Sequence, residues 1–377
     1  MKARAALLLA RDTCRCVALV LLTVAALTGG ARAEEDESPV SRRTLDVTED
    51  RNWFVFPVVA SSPETGVQLG AMLMRFIPWL SWELQASRLE VMAYGTTKGQ
   101  SSFSISPSLF LGDGKYRLYS VAAIEPWPAN FYGIGNDTPD TPERYDLTNT
   151  LFDAVLERRL SQGWVGGIVY TARTEDMAPE PGGLLDTGGI TGASGGTYGG
   201  LGIRLGFDSR DNTNAPYSGS VVRYQGLVFD PSLGSDLDFR IQRLSLRGYH
   251  TSSRGNTLAA AATVRLARGD VPFRYLSTPD GTFVLRGIEK RRYIDNDLLA
   301  LQAEYRLHTR GVWGMTFFAC LAQVTPRIED VREDRFKSSL GFGLRYALRP
   351  EDRSNVRADL GWVDGQPGLI LHFREAF

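Results

Sequence analysis

The chain has 377 residues, with 42 Lys and Arg against 43 Asp and Glu and only 3 His. Five cations (Lys2, Arg4, Arg11, Arg15, Arg32) and one acid (Asp12) fall in the first 33 residues, so the rest is acidic and lacks the basic face that a nucleic-acid partner requires. Hydrophobic residues at 43% and charged residues at 23% exclude a disordered chain, and 39 Gly with 10% aromatics point to turns and strands rather than helices.

The chain opens on a targeting pattern. A basic stretch leads into the uncharged run Val17–Gly30, and Ala31-Arg32-Ala33 then precedes Glu34-Glu35. Small residues at −3 and −1 predict a secretory signal peptide over 1–33, cut after Ala33. The competing reading is a membrane anchor, but the run falls short of the ~20 residues needed to span a bilayer as a helix. Cys14 and Cys16 leave with the signal, and Cys320 alone remains, which excludes an intrachain disulfide and a Cys2His2-type metal site. Residues 34–50 are acidic and polar and read as a short flexible leader.

From Arg51 to Phe377 the pattern is that of strands. Leu201, Ile203, Leu205 and Phe207 alternate with Gly202, Arg204, Gly206 and Asp208; Leu340, Phe342, Leu344 and Tyr346 alternate with Gly341, Gly343 and Arg345. Successive side chains of a strand point to opposite faces, so each run has one apolar and one polar face. The runs predict sixteen strands, over 51–60, 65–76, 82–95, 100–111, 115–125, 146–160, 163–177, 197–208, 219–230, 236–250, 256–267, 297–308, 312–325, 335–348, 354–363 and 368–377. The first three are the least regular, because Pro57, Pro78 and Trp79 interrupt the alternation. Long connections follow odd strands, at 126–145, 178–196 and 268–296; those after even strands are mostly short. That asymmetry, the even count and the export signal predict an all-β, 16-stranded antiparallel transmembrane β-barrel over 51–377, in the bacterial cell outer membrane. A soluble periplasmic sandwich has the same period with its apolar face inward.

Several stretches resemble the superfamily of outer-membrane assembly factors and bacterial surface antigens (BamA/TamA-like). Leu285-Arg286-Gly287-Ile288 is similar to that family's Val-Arg-Gly-Phe/Tyr motif. Gly206-Phe-Asp208-Ser-Arg210-Asp211-Asn212 with Pro216-Tyr-Ser-Gly219 resembles its mid-barrel turn, here expected on the periplasmic side. Gly341-Phe-Gly343-Leu-Arg345 and Arg357-Ala-Asp359-Leu-Gly361 resemble its closing strands, and Phe377 ends the chain as the C-terminal assembly signal of such barrels does. Ile288 departs from the family's aromatic, and 34–50 is too short for a POTRA domain, so the resemblance is to a barrel-only member.

The resemblance implies that the long loop inserts into the lumen, with Arg286 and Gly287 at its tip and Arg286 paired to acidic wall residues. Alternation places Glu304 and Asp359 on the polar face, and a guanidinium fork matches carboxylates in pairs. The opposing reading leaves Arg286 solvated outside. Asp208, Arg210, Asp211, Asn212 and Gly219 read as a hydrogen-bonded turn rather than a calcium loop, which needs more oxygen ligands at loop spacing. Gly192-Ala193-Ser194-Gly195-Gly196 matches a nucleophile elbow only in letters, since no helix is predicted after it. Trp and Tyr residues read as interface belts. The expected function is to assist insertion or translocation of protein or lipid across or into the outer membrane, without catalysis, cofactor or metal. Expected partners are outer-membrane lipids, the outer-membrane assembly machinery through the C-terminal strand, and an unidentified client or periplasmic partner. The alternative is a passive diffusion pore constricted by the loop.

Overall fold

The computed structural model describes residues 53–82, 85–161, 163–307, 311–349, 353–373 and 375–377. The signal peptide and leader expected over 1–50 lie outside the described residues. The strands are β1 (Trp53–Ser62), β2 (Gly66–Trp82), β3 (Gln85–Thr96), β4 (Ser101–Leu111), β5 (Tyr116–Pro126), β6 (Ala129–Phe131), β7 (Glu143–Ser161), β8 (Trp164–Pro179), β9 (Gly196–Asp208) and β10 (Gly219–Phe229). They continue as β11 (Phe239–Thr251), β12 (Thr257–Gly269), β13 (Asp297–Leu307), β14 (Trp313–Thr325), β15 (Lys337–Arg349), β16 (Ser354–Val363) and β17 (Gln366–Phe373). All pairings are antiparallel and join sequence neighbours, β5 pairing β7, until β17 meets β1 and closes the ring. The wall therefore has sixteen strands. β6 is a short addition that pairs only with the start of β7, at Asn130↔Arg144 and its neighbours.

The direction of the apolar face decides between sandwich and barrel. Leu201, Ile203, Leu205, Leu301, Leu340 and Leu344 are all exposed, while Ala300, Gln302, Glu304, Arg357 and Asp359 are buried. A soluble protein would reverse this; a membrane barrel turns its apolar face to lipid and packs its polar face inside. Most wall strands have ten to thirteen residues, and about 9–11 tilted residues cross a bilayer. β7 and β8 run on to 19 and 16 residues. Their predicted spans are shorter because 143–145 and 178–179, which prolong the hairpin, lie where loops were expected; Tyr145 and the neighbouring Met177 are buried in the loop core.

At the long-loop end that core is aromatic. Phe229 and Phe239 stack at 4.1 Å between centroids, and Tyr275 of the 270–296 loop meets both edge-on. The loop thus enters the lumen rather than covering it from outside.

Two further strands differ from their expected form. β2 continues through Pro78, with a register shift between Ile77 and Trp82 that absorbs the missing donor. β17 ends at Phe373 instead of Phe377. Leu369, Leu371 and Phe373 share the outward face, so a continued strand would aim Glu375 at lipid. The chain turns inward instead: Glu375 reaches Arg345, and Phe377 is buried against Tyr249, Ala259 and Ala261. The outward aromatic that ends the strand is Phe373.

Candidate functional site

The site forms where the 270–296 loop meets the inner faces of β13–β17. Asp280 shapes the loop locally: its carboxylate accepts hydrogen bonds from the Thr282 and Phe283 amides, and its carbonyl from Val284 and Leu285. This turn delivers Leu285 and Arg286, both fully buried, to the wall.

The backbone of Arg286-Gly287 lies directly on two wall glycines. A Cβ on Gly361 would sit 2.2 Å from the Arg286 carbonyl oxygen, and one on Gly368 would sit 2.1 Å from that of Gly287. Gly287 has φ +114°, a region that side chains rarely adopt, and its own Cβ would come within 2.7 Å of the Gly361 oxygen. The Ser339 hydroxyl donates to the Arg286 carbonyl, which satisfies the acceptor in this dry contact.

The Arg286 side chain then meets Glu304 and Asp359. Its Nη1 donates to Asp359 Oδ2 at 2.9 Å and stands 2.7 Å from Glu304 Oε1 as an ion pair outside hydrogen-bond alignment. The guanidinium lies over the Phe318 ring, 3.7 Å from its centroid, so its remaining N–H groups face a π-surface instead of water. Asp359 also accepts from Arg357 Nη1 at 2.5 Å and Arg345 Nη1 at 2.6 Å. Arg306 pairs with Glu304 at 2.7 Å and donates to the Phe377 carbonyl at 3.0 Å. Arg345 Nε reaches Glu375 at 2.8 Å, and Arg357 Nη2 returns to the loop at the Thr282 carbonyl, 2.9 Å away. Four guanidiniums and three carboxylates so bind loop, wall and C-terminal tail together. Such a buried set holds because every guanidinium has at least one carboxylate beside it; removing a carboxylate leaves buried positive charge without its partner.

Sequence reasoning named Arg286, Gly287, Glu304 and Asp359, and the structure brings these four together. It missed Arg306, Arg345, Arg357, Glu375, Phe318 and the glycine cradle. Parity held the signal for part of this: Ser339, Gly341, Gly343 and Arg345 share the polar face of β15. Tertiary folding alone brings in Glu375.

The turn motif stands at the other end of the barrel. Asp208 accepts from the Arg210 amide and Nε, Asp211 from the Tyr217 and Ser218 amides, and Asn212 from the Asn214 and Ala215 amides. Burial alone would raise the Asp211 carboxyl, but the Arg353 contact at 2.6 Å and the two amides hold it below its usual range. Gly219 has φ +97°, and a Cβ there would lie 2.3 Å from the Ser209 oxygen. These oxygens are occupied by backbone and arginine donors within the turn. Ser194 is followed by β9 and not by a helix, so the strand–turn–helix frame of a nucleophile elbow is not formed there.

No protein-family model matches the sequence, and no curated protein matches it. Solved structures do. BamA from Haemophilus ducreyi lacking POTRA domains 1–3 superposes with a TM-score of 0.62 at 11% identity, covering 86% of this chain and 70% of that one. The chain shares the fold of the outer-membrane assembly-factor barrels. CdiB from Acinetobacter baumannii gives a TM-score of 0.51 at 13% identity, covering 85% of this chain, which spans 59% of CdiB's length. At such identity the likeness is one of architecture: a closed sixteen-stranded barrel of the outer-membrane type.

Proposed function

We propose that this barrel assists insertion or translocation of protein or lipid into or across the outer membrane, using the seam between β1 and β17 as its opening. One observation carries the reading. Among the described residues, β1 and β17 meet at a single paired position, Ser61↔Leu371, whereas β1 and β2 pair along ten. Ser61 is next to last in β1 and Leu371 third from last in β17, so most of both edges is unpaired. Unpaired strand edges are templates for another strand, and Pro57 and Pro367 further reduce the donors each edge could offer. The lumenal side beside the seam is apolar: Phe54, Phe56, Met72 and Met74 share that face, with Phe54 packed on Phe56 and Phe76. An apolar lumen wall next to an open edge suits a strand or acyl chain passing between lipid and lumen. A passive pore needs an open water path instead, and the deeply buried loop tip counts against one.

A disulfide between Ser61→Cys and Leu371→Cys tests the reading. Locking the seam should stop growth-supporting or client-inserting activity in cells, and a reductant should restore it. Unchanged activity in the oxidised, crosslinked barrel would remove the seam from the mechanism. The seam's occupant is expected to engage the β1 edge, so photo-crosslinkers placed on β1 should capture it and those on β5 should not.

A further inference from the structure

We propose that the lumenal wall of β9–β12 is a binding site for a phosphate-bearing anion. The inference goes beyond the seam and does not depend on it. By register, Arg204 of β9 stands opposite Gln225 of β10, Gln225 opposite Arg243 of β11, and Arg243 opposite Arg265 of β12. One lateral row of the inner face therefore holds three arginines and a glutamine. Arg223 and Arg247 stand on the same face one and two steps nearer the short-turn end, opposite Ser245 and Val221. Like charges directly across a ladder destabilise a sheet, and Arg243↔Arg265 is such a pair.

Glu64, Glu125 and Asp280 line the neighbouring lumen, but among the described residues Glu157 alone comes within ion-pair range of this row. Arg204 uses Glu157 at 3.3 Å and Gln225 at 2.7 Å. Arg265 is held by neutral oxygens, Ser277 Oγ at 3.0 Å and the Tyr275 carbonyl at 2.7 Å. Arg223, Arg243 and Arg247 form no hydrogen bond or ion pair with the described residues. All three line one cavity of about 170 Å³ with Ser245, and Arg243 also lines a neighbouring cavity of about 520 Å³ that contains Arg265. The smaller volume is several times the ~30 Å³ of a liquid water and accepts a group of phosphate size. Three free guanidiniums converging on one space suit a multiply charged, many-oxygen anion better than a single carboxylate, because each fork can take two oxygens. The phosphate can arrive free or on a lipid headgroup, and the chemistry of the site is the same for both.

The test uses the full barrel, purified and folded into nanodiscs of phosphatidylcholine. Thermal unfolding and calorimetric titration are run with inorganic phosphate and pyrophosphate at an ionic strength fixed with chloride. Saturable binding of pyrophosphate is expected, weakened at least tenfold by Arg223→Gln with Arg243→Gln. Arg254→Gln, in an exposed turn, should leave it unchanged and so separates a site from general charge. Arg243→Lys should bind more weakly than wild type but better than Arg243→Gln, since the charge remains and the fork is lost. Repeating the titration in nanodiscs containing phosphatidylglycerol distinguishes the sources: competition with pyrophosphate assigns the site to a lipid headgroup, and its absence to a free anion. Removal of β-barrel heat-modifiability in a variant identifies misfolding, in which case Arg243→Lys alone decides. Equal binding in the double variant, or titration by chloride alone to the same extent, would overturn the site.

Discussion

Along β13–β16 and the segments packed on them, Arg286, Arg306, Arg345 and Arg357 share Glu304, Asp359 and Glu375. Across the same lumen, Arg223, Arg243 and Arg247 face a cavity of about 170 Å³ with no carboxylate in pairing range among the described residues. The residue type is the same, and the wall arginines of both sets share the lumenal face. The difference lies in what the loop delivers. Where the 270–296 loop presses its backbone onto Gly361 and Gly368, water is excluded and every charge must be matched. Where the wall stays wet, guanidiniums can remain unpaired at little cost, because solvent replaces the partner. Arginine in a barrel lumen is thus either a clamp or an available cation, and dehydration decides which.

The sharpest break of this contrast is Asp359→Ala. Asp359 accepts from Arg286, Arg345 and Arg357 at once, so its loss takes a carboxylate from three guanidiniums and leaves Arg357 with no carboxylate partner among the described residues, while Arg286 keeps Glu304 and Arg345 keeps Glu375. Breaking a buried ion pair costs roughly 3–5 kcal/mol, and here the expected result is loop release. Protease cleavage within residues 270–296 and raised single-channel conductance should follow, with the β-sheet signal retained. A loop that stays protected in this variant would mean that the glycine contact, and not the charge, holds it.

Arg286→Ala should have a smaller effect in the same direction. Asp359 keeps Arg345 and Arg357, and Glu304 keeps Arg306, so no carboxylate is left alone. A loss of about 1–3 kcal/mol is expected, that of a buried charged hydrogen bond. Arg286→Lys should recover part of it, since Lys lacks the fork and the flat face on Phe318. Combined with Asp359→Ala, the two changes should be strongly non-additive, because the residues touch; simple additivity of protease sensitivity would contradict the contact.

Gly361→Ala separates shape from charge. It alters no ionic group but places a methyl 2.2 Å from the Arg286 carbonyl oxygen. Overpacking of this kind costs about 1–3 kcal/mol, and the strain should be relieved by lifting the loop tip. Partial protease access with unchanged salt dependence is expected. If the variant behaves as wild type, the cradle yields more readily than the backbone contact implies.

How much of this was legible beforehand follows from which faces alternate. Outward and inward parity is local, so the strands and the positions of Glu304 and Asp359 could be read from Leu299–Tyr305 and Val356–Trp362. Arg286 carries no period of its own, since it sits in a loop; only the resemblance of Leu285-Arg286-Gly287 to a known motif pointed to the lumen. Glu375 and Phe377 were assigned to a strand because alternation continues on paper, whereas the Arg345 ion pair draws the tail inward. The apolar lumen face of β1 and β2 was hidden for the opposite reason: apolar residues on both faces leave no alternation to read. The unpaired arginines of β10 and β11 were visible as polar-face residues, but their lack of partners is a tertiary fact.

The mildest test lies on the wet wall. Arg243→Gln removes one member of the directly opposed Arg243↔Arg265 pair and buries nothing new. Cross-strand pairs of this kind are worth roughly 0.2–1 kcal/mol, so the variant should unfold at a slightly higher temperature than wild type. This is the reverse of every change on the dry wall, where removing a charge destabilises. The gain should be largest at low salt and fade as ionic strength rises, because exposed like charges are screened within about 10 Å at 0.1 M. Saturating pyrophosphate should erase the gain or reverse it, since the anion then stabilises wild type through the guanidinium that the variant lacks. A variant that is less stable at low salt, without added anion, would mean that Arg243 is clamped after all and that the two walls do not differ in kind.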